Sequence, residues 1–174
     1  MAFSLYDASV ANYLQTLGAV SGILDKGLAH CREGGITPEE LAETRLAPDM
    51  LPLRFQIVSV AHHSRGAIEG VQKGVFTPPS VPPGLDYAGM QALVSKASQA
   101  LSDLKPEAVN ALEGGDVLFQ LGERKLPFTA QEFLMSFSLP NFYFHATTAY
   151  DILRSKGVPL GKRDFMGPMR MKAA

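Results

Sequence analysis

The residues best placed to do chemistry are histidines on two predicted helices. His63 lies midway along a helix predicted over residues 49–73, and His145 lies in the last predicted helix, one turn after Asn141. If these helices face one another, His63 and His145 point into a bundle interior, where helical bundles build their metal sites. His62 points almost opposite the apolar stripe of its helix, so we expect it at the surface. The pattern alone leaves open which of the two adjacent histidines faces inwards.

These residues give only part of a metal site. A catalytic zinc or similar ion takes three protein ligands and keeps one position for water or substrate. No H-E-x-x-H pair is present, and the position four residues after His145 is Ala149. The metal set predicted here is therefore His63, His145 and Asn141, with Asn141 a weak third ligand for Zn, Ni or Mn. The alternative is a pair of core histidines satisfied by hydrogen bonds. Two imidazoles more than about 5 Å apart, without a third ligand, are too far apart to share an ion with bonds of about 2.0–2.1 Å.

Other familiar kinds of site find no support in the sequence. Cys31 is the single cysteine, which excludes an intramolecular disulfide and a cysteine-based zinc site. His30, beside it, stands near the end of a predicted helix, where the helix dipole favours a cation. Neither a G-x-S-x-G elbow nor a phosphate-binding glycine loop occurs. No catalytic residue and no organic cofactor is predicted.

Composition limits the class of protein. The chain has 174 residues, 46% of them hydrophobic, and a formal charge of −1, which favours one packed domain and argues against a nucleic-acid binder. Residues 152–174 carry six cations and one anion, a local charge of +5, which leaves −6 on the rest of the chain. We expect no membrane span and no secretory signal, and hence a cytoplasmic protein.

Periodicity and capping signals predict four long helices. Apolar residues recur at steps of three and four, and Gly34-Gly35, Gly74 and Gly157 end three of the helices. Thr37 and Thr129 open capping boxes, Asp49 and Asp86 are predicted N-caps, and Pro140 predicts a kink. The first, third and fourth predicted helices span residues 4–33, 86–104 and 129–156, and the second starts between residues 49 and 52 and runs to 73.

The remaining segments predict a small β insertion and a C-terminal tail. Residues 117–128 alternate around a Gly122 turn, which predicts a hairpin of two short strands, and Pro127 makes the second strand an edge. We expect residues 1–157 to form one four-helix bundle domain. Residues 158–174 are predicted to be an irregular basic tail that packs on the acidic body or on a partner subunit. The dense aromatic run at Phe142, Tyr143, Phe144 and Tyr150 fits either a subunit contact or the core of its own chain.

Four stretches of this sequence resemble a bacterial family known only as a domain of unknown function, within the DinB/YfiT-like four-helix bundles. The last of them is the most specific. They are Ser4–Val10, Arg45–Met50, His63–Ala67 and the run from Leu139 to Phe165.

The resemblance implies an all-α, up-down-down-up four-helix bundle with a β-hairpin insertion before the last helix, and a homodimer. Better-known relatives hold a divalent metal with three histidines, one on the second helix and a His-x-x-x-His pair on the last. By position, His63 is the second-helix ligand and His145 one of the pair, while the other falls on Asn141 or Ala149. The predicted function is a metal-dependent enzyme on small molecules, of hydrolase or thiol-transferase type, with a degenerate histidine site. The alternative is a small-ligand-binding or structural dimeric protein that binds no metal.

Overall fold

The structure is a computed structural model that describes residues 3–172, so the first two residues of the predicted bundle domain and the last two of the predicted tail lie outside it. Most of the described chain is helical. The helical segments are Leu5–Ala8, Val10–Arg32, Pro38–Glu43, Leu53–Ala61, His62–Gly66, Ala67–Lys73, Tyr87–Ser102, Pro106–Asn110, Ala130–Glu132, Phe133–Ser138, Leu139–Ser155 and Lys162–Met166. The strands are β1 (Val75–Phe76), β2 (Asp116–Leu121) and β3 (Arg124–Thr129).

The first long helix, Val10–Arg32, follows its apolar period. Tyr13, Leu17 and Leu24 have no exposed surface and form one face of the core. The predicted continuous helix from residue 4 is interrupted at Ser9, whose φ of −117° and ψ of −76° depart from regular helical values and whose hydroxyl donates to the carbonyl of Leu5 at 2.6 Å. A serine that bonds the preceding turn in this way competes with the regular helix ladder.

The second long helix runs from Leu53 to Lys73 and contains a π-helical turn at His62–Gly66. The predicted N-cap at Asp49 is wrong. The helix begins after Pro52, whose fixed φ favours a helix start, and Asp49 lies in the preceding turn. Gly74 ends the helix as predicted, with φ of +72°.

The third long helix, Tyr87–Ser102, and the last long helix, Leu139–Ser155, complete the bundle. The first helix packs against the third and the last, and so does the second. The side chain of Asp86 accepts from the backbone of Gly89, which caps the third helix as predicted. Instead of one kinked helix, residues 130–155 contain a π-helical stretch, Phe133–Ser138, just before Pro140. Proline has no backbone N–H to donate, and the wider π-helical turn makes room for its ring and for the missing hydrogen bond.

The β insertion has three strands rather than the predicted two. Strand β2 is central, with β3 antiparallel on one side and β1 parallel on the other, Val75 opposite Leu118. Strand β1 has two residues, too few to show alternation in the sequence. Strand β3 is an edge in the order β1-β2-β3, which tolerates Pro127 because an edge strand needs fewer donors.

The segment after Gly157 lies against the first long helix. Val158 and Leu160 are buried, and Lys26 of the first helix pairs with Asp164 at 2.7 Å. Residues Lys162–Met166 form a helix, where the sequence predicts irregular chain. Asp164 accepts from the amide of Gly161 at 2.8 Å, which closes the first turn of this helix. In residues 3–172, no helix combines the length and hydropathy needed to cross a membrane.

Candidate functional site

The packing of the second helix on the last brings His63 and His145 together. Their rings are stacked, with centroids 5.8 Å apart and planes 16° from parallel. His63 is 4% exposed, while His145 is half-buried at the edge of the bundle. The structure therefore answers the question left open by the sequence: His63, not His62, is the inward-facing member of the adjacent pair.

Hydrogen bonds from the first and last helices hold the backbone at His63. Ser138, which ends the π-helical stretch of the last helix, donates its hydroxyl to the carbonyl of His63 at 2.6 Å. Tyr13 lies 2.8 Å from the same hydroxyl, and because Ser138 has one proton to give, Tyr13 is the donor in that bond. Tyr13 has no exposed surface, and burial raises the pKa of its phenol. This chain links three helices at the point where the second helix widens.

A buried glutamine fixes the orientation of His145. The amide nitrogen of Gln56 donates to the carbonyl of Leu51 at 2.7 Å, so its oxygen is the atom that faces His145. That oxygen lies 2.7 Å from Nδ1 of His145 and accepts its proton. The neutral ring therefore carries its proton on Nδ1 and a lone pair on Nε2.

Burial keeps both imidazoles neutral at physiological pH. His63 is packed among the rings of Phe76, Phe137 and His145, with centroids 5.4, 5.7 and 5.8 Å away. Desolvation, with smaller contributions from the neighbouring histidines, lowers its pKa to about 3. Burial likewise lowers the pKa of His145 to about 4. Nδ1 of His63 is buried and has no hydrogen-bond partner among residues 3–172, an arrangement that normally costs stability.

The donor set does not fit a three-ligand metal centre. No group of three His, Cys, Asp or Glu side chains in residues 3–172 is arranged to hold a metal ion. Asn141 uses its amide nitrogen to donate to the carbonyl of Phe137 at 2.7 Å, and its assignment as a metal ligand stays a prediction. Ala149, the other position of the expected pair, is fully buried and has no donor atom. The ring centroids of His63 and His145 are 5.8 Å apart, a distance that two metal–nitrogen bonds of about 2.0–2.1 Å span only with a wide angle at the ion.

The other histidines make backbone contacts. Nε2 of His62 donates to the carbonyl of Thr77 at 2.7 Å, so His62 is half-buried against the following loop rather than at the open surface expected for it. Its ring meets that of His63 edge to face, at 5.7 Å. Nε2 of His30 lies 3.1 Å from the carbonyl oxygen of Lys156, which is 126 residues away in the sequence.

Sequence reasoning missed three residues that support the pair: Tyr13, Gln56 and Ser138. One of them left a signal. Gln56 is a polar residue between Leu53 and Ile57 in an apolar stripe, and a buried polar side chain requires a partner. Tyr13 and Ser138 match the period of their helices, so no departure from the pattern marks them.

Comparison with known proteins gives the family and the fold. The model of a family described as a domain of unknown function (DUF1993) matches residues 5–166. A crystal structure of a DinB family member protein from Shewanella denitrificans has a TM-score of 0.81 and 25% sequence identity, and the match covers 98% of this chain and 96% of that one. A search of curated proteins found no match. The predicted all-α, DinB-like bundle with a β insertion is confirmed.

Proposed function

The chain belongs to the DUF1993 family, a domain of unknown function with a DinB-like bundle, and we propose that it binds a small molecule without metal at the His63–His145 pair. One observation carries this proposal: the bond to Gln56 leaves a lone pair on Nε2 of the neutral, half-buried His145, whose ring stacks on that of His63. Neutral imidazole nitrogens accept hydrogen bonds. The ligand is therefore an apolar or aromatic molecule that carries one hydroxyl, thiol or N–H donor.

The surroundings of the pair support a ligand of this kind. Phe55 and Phe144 pack against the ring of His145, with centroids 5.9 and 5.3 Å away. Gln56 fixes the lone pair of His145 on Nε2, the nitrogen that a donor group of the ligand would meet. Small-molecule sites commonly combine apolar walls with a few fixed polar groups. The pair provides both.

Phenol tests the binding site directly, because it carries one hydroxyl on an aromatic ring. With ¹⁵N-labelled protein, phenol should shift the imidazole resonances of His145 in a saturable way, and toluene should not. A His145→Leu variant removes the acceptor and should abolish the phenol effect. Equal responses to phenol and toluene would contradict the proposed hydrogen bond.

A second candidate is the metal-dependent hydrolase or thiol transferase. The bond between Nδ1 of His145 and Gln56 favours it, because metal-ligating histidines commonly donate their other nitrogen to an oxygen in this way. Here His63 and His145 would hold the divalent ion, with Asn141 as a weak third ligand. When bound, such an ion would polarise a substrate or activate water.

Metal analysis of protein purified without an affinity tag distinguishes the two candidates. The metal-free proposal expects far less than one equivalent of Zn, Ni or Mn, and an unfolding curve that chelator does not change. Stoichiometric metal that is lost in both His63→Ala and His145→Ala, but kept in the control His30→Ala, would contradict it and support the enzyme.

We also propose that two copies of the chain meet through part of the aromatic run. Phe142 is fully buried and Tyr150 packs on Phe165 at 5.9 Å, so these two belong to the core of their own chain. Phe144 and Tyr143 are 58% and 39% exposed, an unusual amount for such large rings. Sedimentation should give twice the 18.8 kDa chain mass, and Phe144→Lys should shift it towards the monomer. A wild-type mass near that of one chain at micromolar concentration would contradict the dimer.

A further inference from the structure

A cavity lies between the second long helix, the proline-rich loop after β1 and the third long helix. Its volume is about 360 Å³, within the range of about 300–1,000 Å³ common for small-molecule sites. Its polar lining includes His62, Arg65, Thr77 and Lys96, and its apolar lining includes Pro78 and Pro79. None of the residues of the His63–His145 site lines it.

The charged groups of this cavity leave an excess of positive charge. Arg65 donates from Nε to a carboxylate oxygen of Glu69 at 2.6 Å, which leaves both of its Nη groups without a hydrogen-bond partner in residues 3–172. Lys96 is exposed and forms no ion pair within the same residues. Two cations therefore face the cavity against one carboxylate. The free edge of a guanidinium is suited to bind a carboxylate or a phosphate through two parallel hydrogen bonds.

His62 adds an acceptor to this cavity. Its Nε2 must donate to the carbonyl of Thr77 at 2.7 Å, because a carbonyl oxygen only accepts, and a neutral imidazole has one donor and one acceptor nitrogen. Its Nδ1 therefore carries a lone pair. A Cβ at Gly66 would lie 3.1 Å from that nitrogen, yet the φ of Gly66 is −61°, an ordinary helical value. The backbone conformation at residue 66 does not require glycine. The absence of a side chain at Gly66 is what leaves the space beside Nδ1 of His62 open.

We propose that this cavity binds a small organic anion, a carboxylate or a phosphate ester, that also carries a hydroxyl or N–H donor. The anionic group pairs with the Nη groups of Arg65 and the ammonium of Lys96. The donor group reaches Nδ1 of His62 through the space that Gly66 leaves open. The apolar part of the molecule lies on Pro78 and Pro79.

Calorimetry at low salt with defined probes tests this site in the full-length protein. The probes are 3-hydroxybenzoate for the carboxylate arm, phenyl phosphate for the phosphate arm, and neutral 3-hydroxybenzyl alcohol as the control ligand. Saturable binding of either anion, and none of the alcohol, is the expected result. Arg65→Gln and Lys96→Gln should each weaken binding about tenfold, the usual effect of losing a hydrogen bond to a charged group. The matched control, Lys125→Gln on the exposed edge strand, should bind as the wild type does.

Gly66→Ala separates binding from folding. Alanine is the better helix former, but its Cβ lies 3.1 Å from Nδ1 of His62, so the two effects oppose each other and the variant should stay folded, with an unfolding temperature close to that of the wild type. Its methyl group should nonetheless weaken 3-hydroxybenzoate more than benzoate, which has no hydroxyl to place at Nδ1. The proposal is overturned if neither anion binds saturably, if binding survives the double variant of Arg65 and Lys96, or if Gly66→Ala affects both benzoates equally. These outcomes do not depend on His63 or His145, so the two sites stand or fall separately.

Discussion

The neutral state of His63 makes a quantitative prediction about stability and pH. Its pKa is about 3 in the folded chain and about 6.5 when exposed, so the unfolded state binds the additional proton as the pH falls. The stability that this difference contributes is fully present above pH 6.5 and is lost as the pH falls from there towards 3. At about pH 5 the unfolded imidazole is almost fully protonated and the folded one is neutral. His63 then lowers the free energy of unfolding by about 2 kcal/mol relative to neutral pH. The figure is about 1.36 kcal/mol per pH unit, taken over the interval from pH 6.5 to 5.

The pKa of the unfolded imidazole sets the size of this loss at pH 5. Any folded value well below 5 gives the same loss at pH 5, because the unfolded value alone sets where the loss begins. His145 changes in the same direction, but it is half-buried, and solvent screens part of its effect. The free energy of unfolding should therefore fall by about 2 kcal/mol or slightly more between pH 7.5 and 5 on account of the pair.

Urea unfolding of the wild type and of His63→Gln at both pH values isolates the contribution. The substitution destabilises the protein at every pH, but that offset cancels in the difference between the two pH values. The variant should lose about 2 kcal/mol less than the wild type on acidification. In an NMR titration, the His63 ring of the wild type should not change between pH 8 and about 5. Equal losses in the two proteins, or a His63 titration centred near pH 6.5, would refute the assignment of a buried neutral ring.

Two further predictions concern stability. Tyr13→Phe removes the phenol that donates to Ser138 and should cost about 1 kcal/mol in urea unfolding; no change would mean that this bond contributes nothing net. Gly27→Ala places a Cβ 2.4 Å from the hydroxyl of Tyr87, so it should lower the midpoint of thermal unfolding although alanine is the better helix former. Gly18→Ala is its matched control in the same helix, where a Cβ meets nothing within 4 Å, and it should stabilise by about 0.5–1 kcal/mol.

The helices that bury one continuous stripe were predictable from the sequence. The first helix shows a step of three and four over more than six turns, and Gly34 ends it. Local chemistry was also sufficient at Thr37, whose capping box depends only on residues within one turn. Such features involve neighbours in sequence, so the sequence shows them.

The parts that depend on distant neighbours were not predictable. The π-helical turn at His62–Gly66 leaves no visible change in the apolar spacing of the sequence. The hydroxyl that bonds its backbone, at the carbonyl of His63, belongs to Ser138, 75 residues away. Strand β1 exists because β2 offers it a free edge, not because of its own pattern. At the site, the helix period was enough to predict that His63 and His145 face each other. That Gln56 orients the ring of His145 depends on how the second and last helices pack, which the sequence does not show.

The uneven charge of the chain is a surface property, and it does not hold the tail in place. The ion pair between the tail and the body uses Asp164, the single anion of the tail, against a body cation, the reverse of a basic tail on an acidic body. Lys26 is exposed and Asp164 is partly exposed, and ion pairs in contact with solvent contribute about 0–1 kcal/mol. Val158 loses all of its exposed surface, and burying a side chain of that kind contributes about 1.5–3 kcal/mol. Burial therefore outweighs charge in fixing the tail. Lys162 and Arg163 form no ion pair within residues 3–172 and remain exposed, so their charge faces solvent.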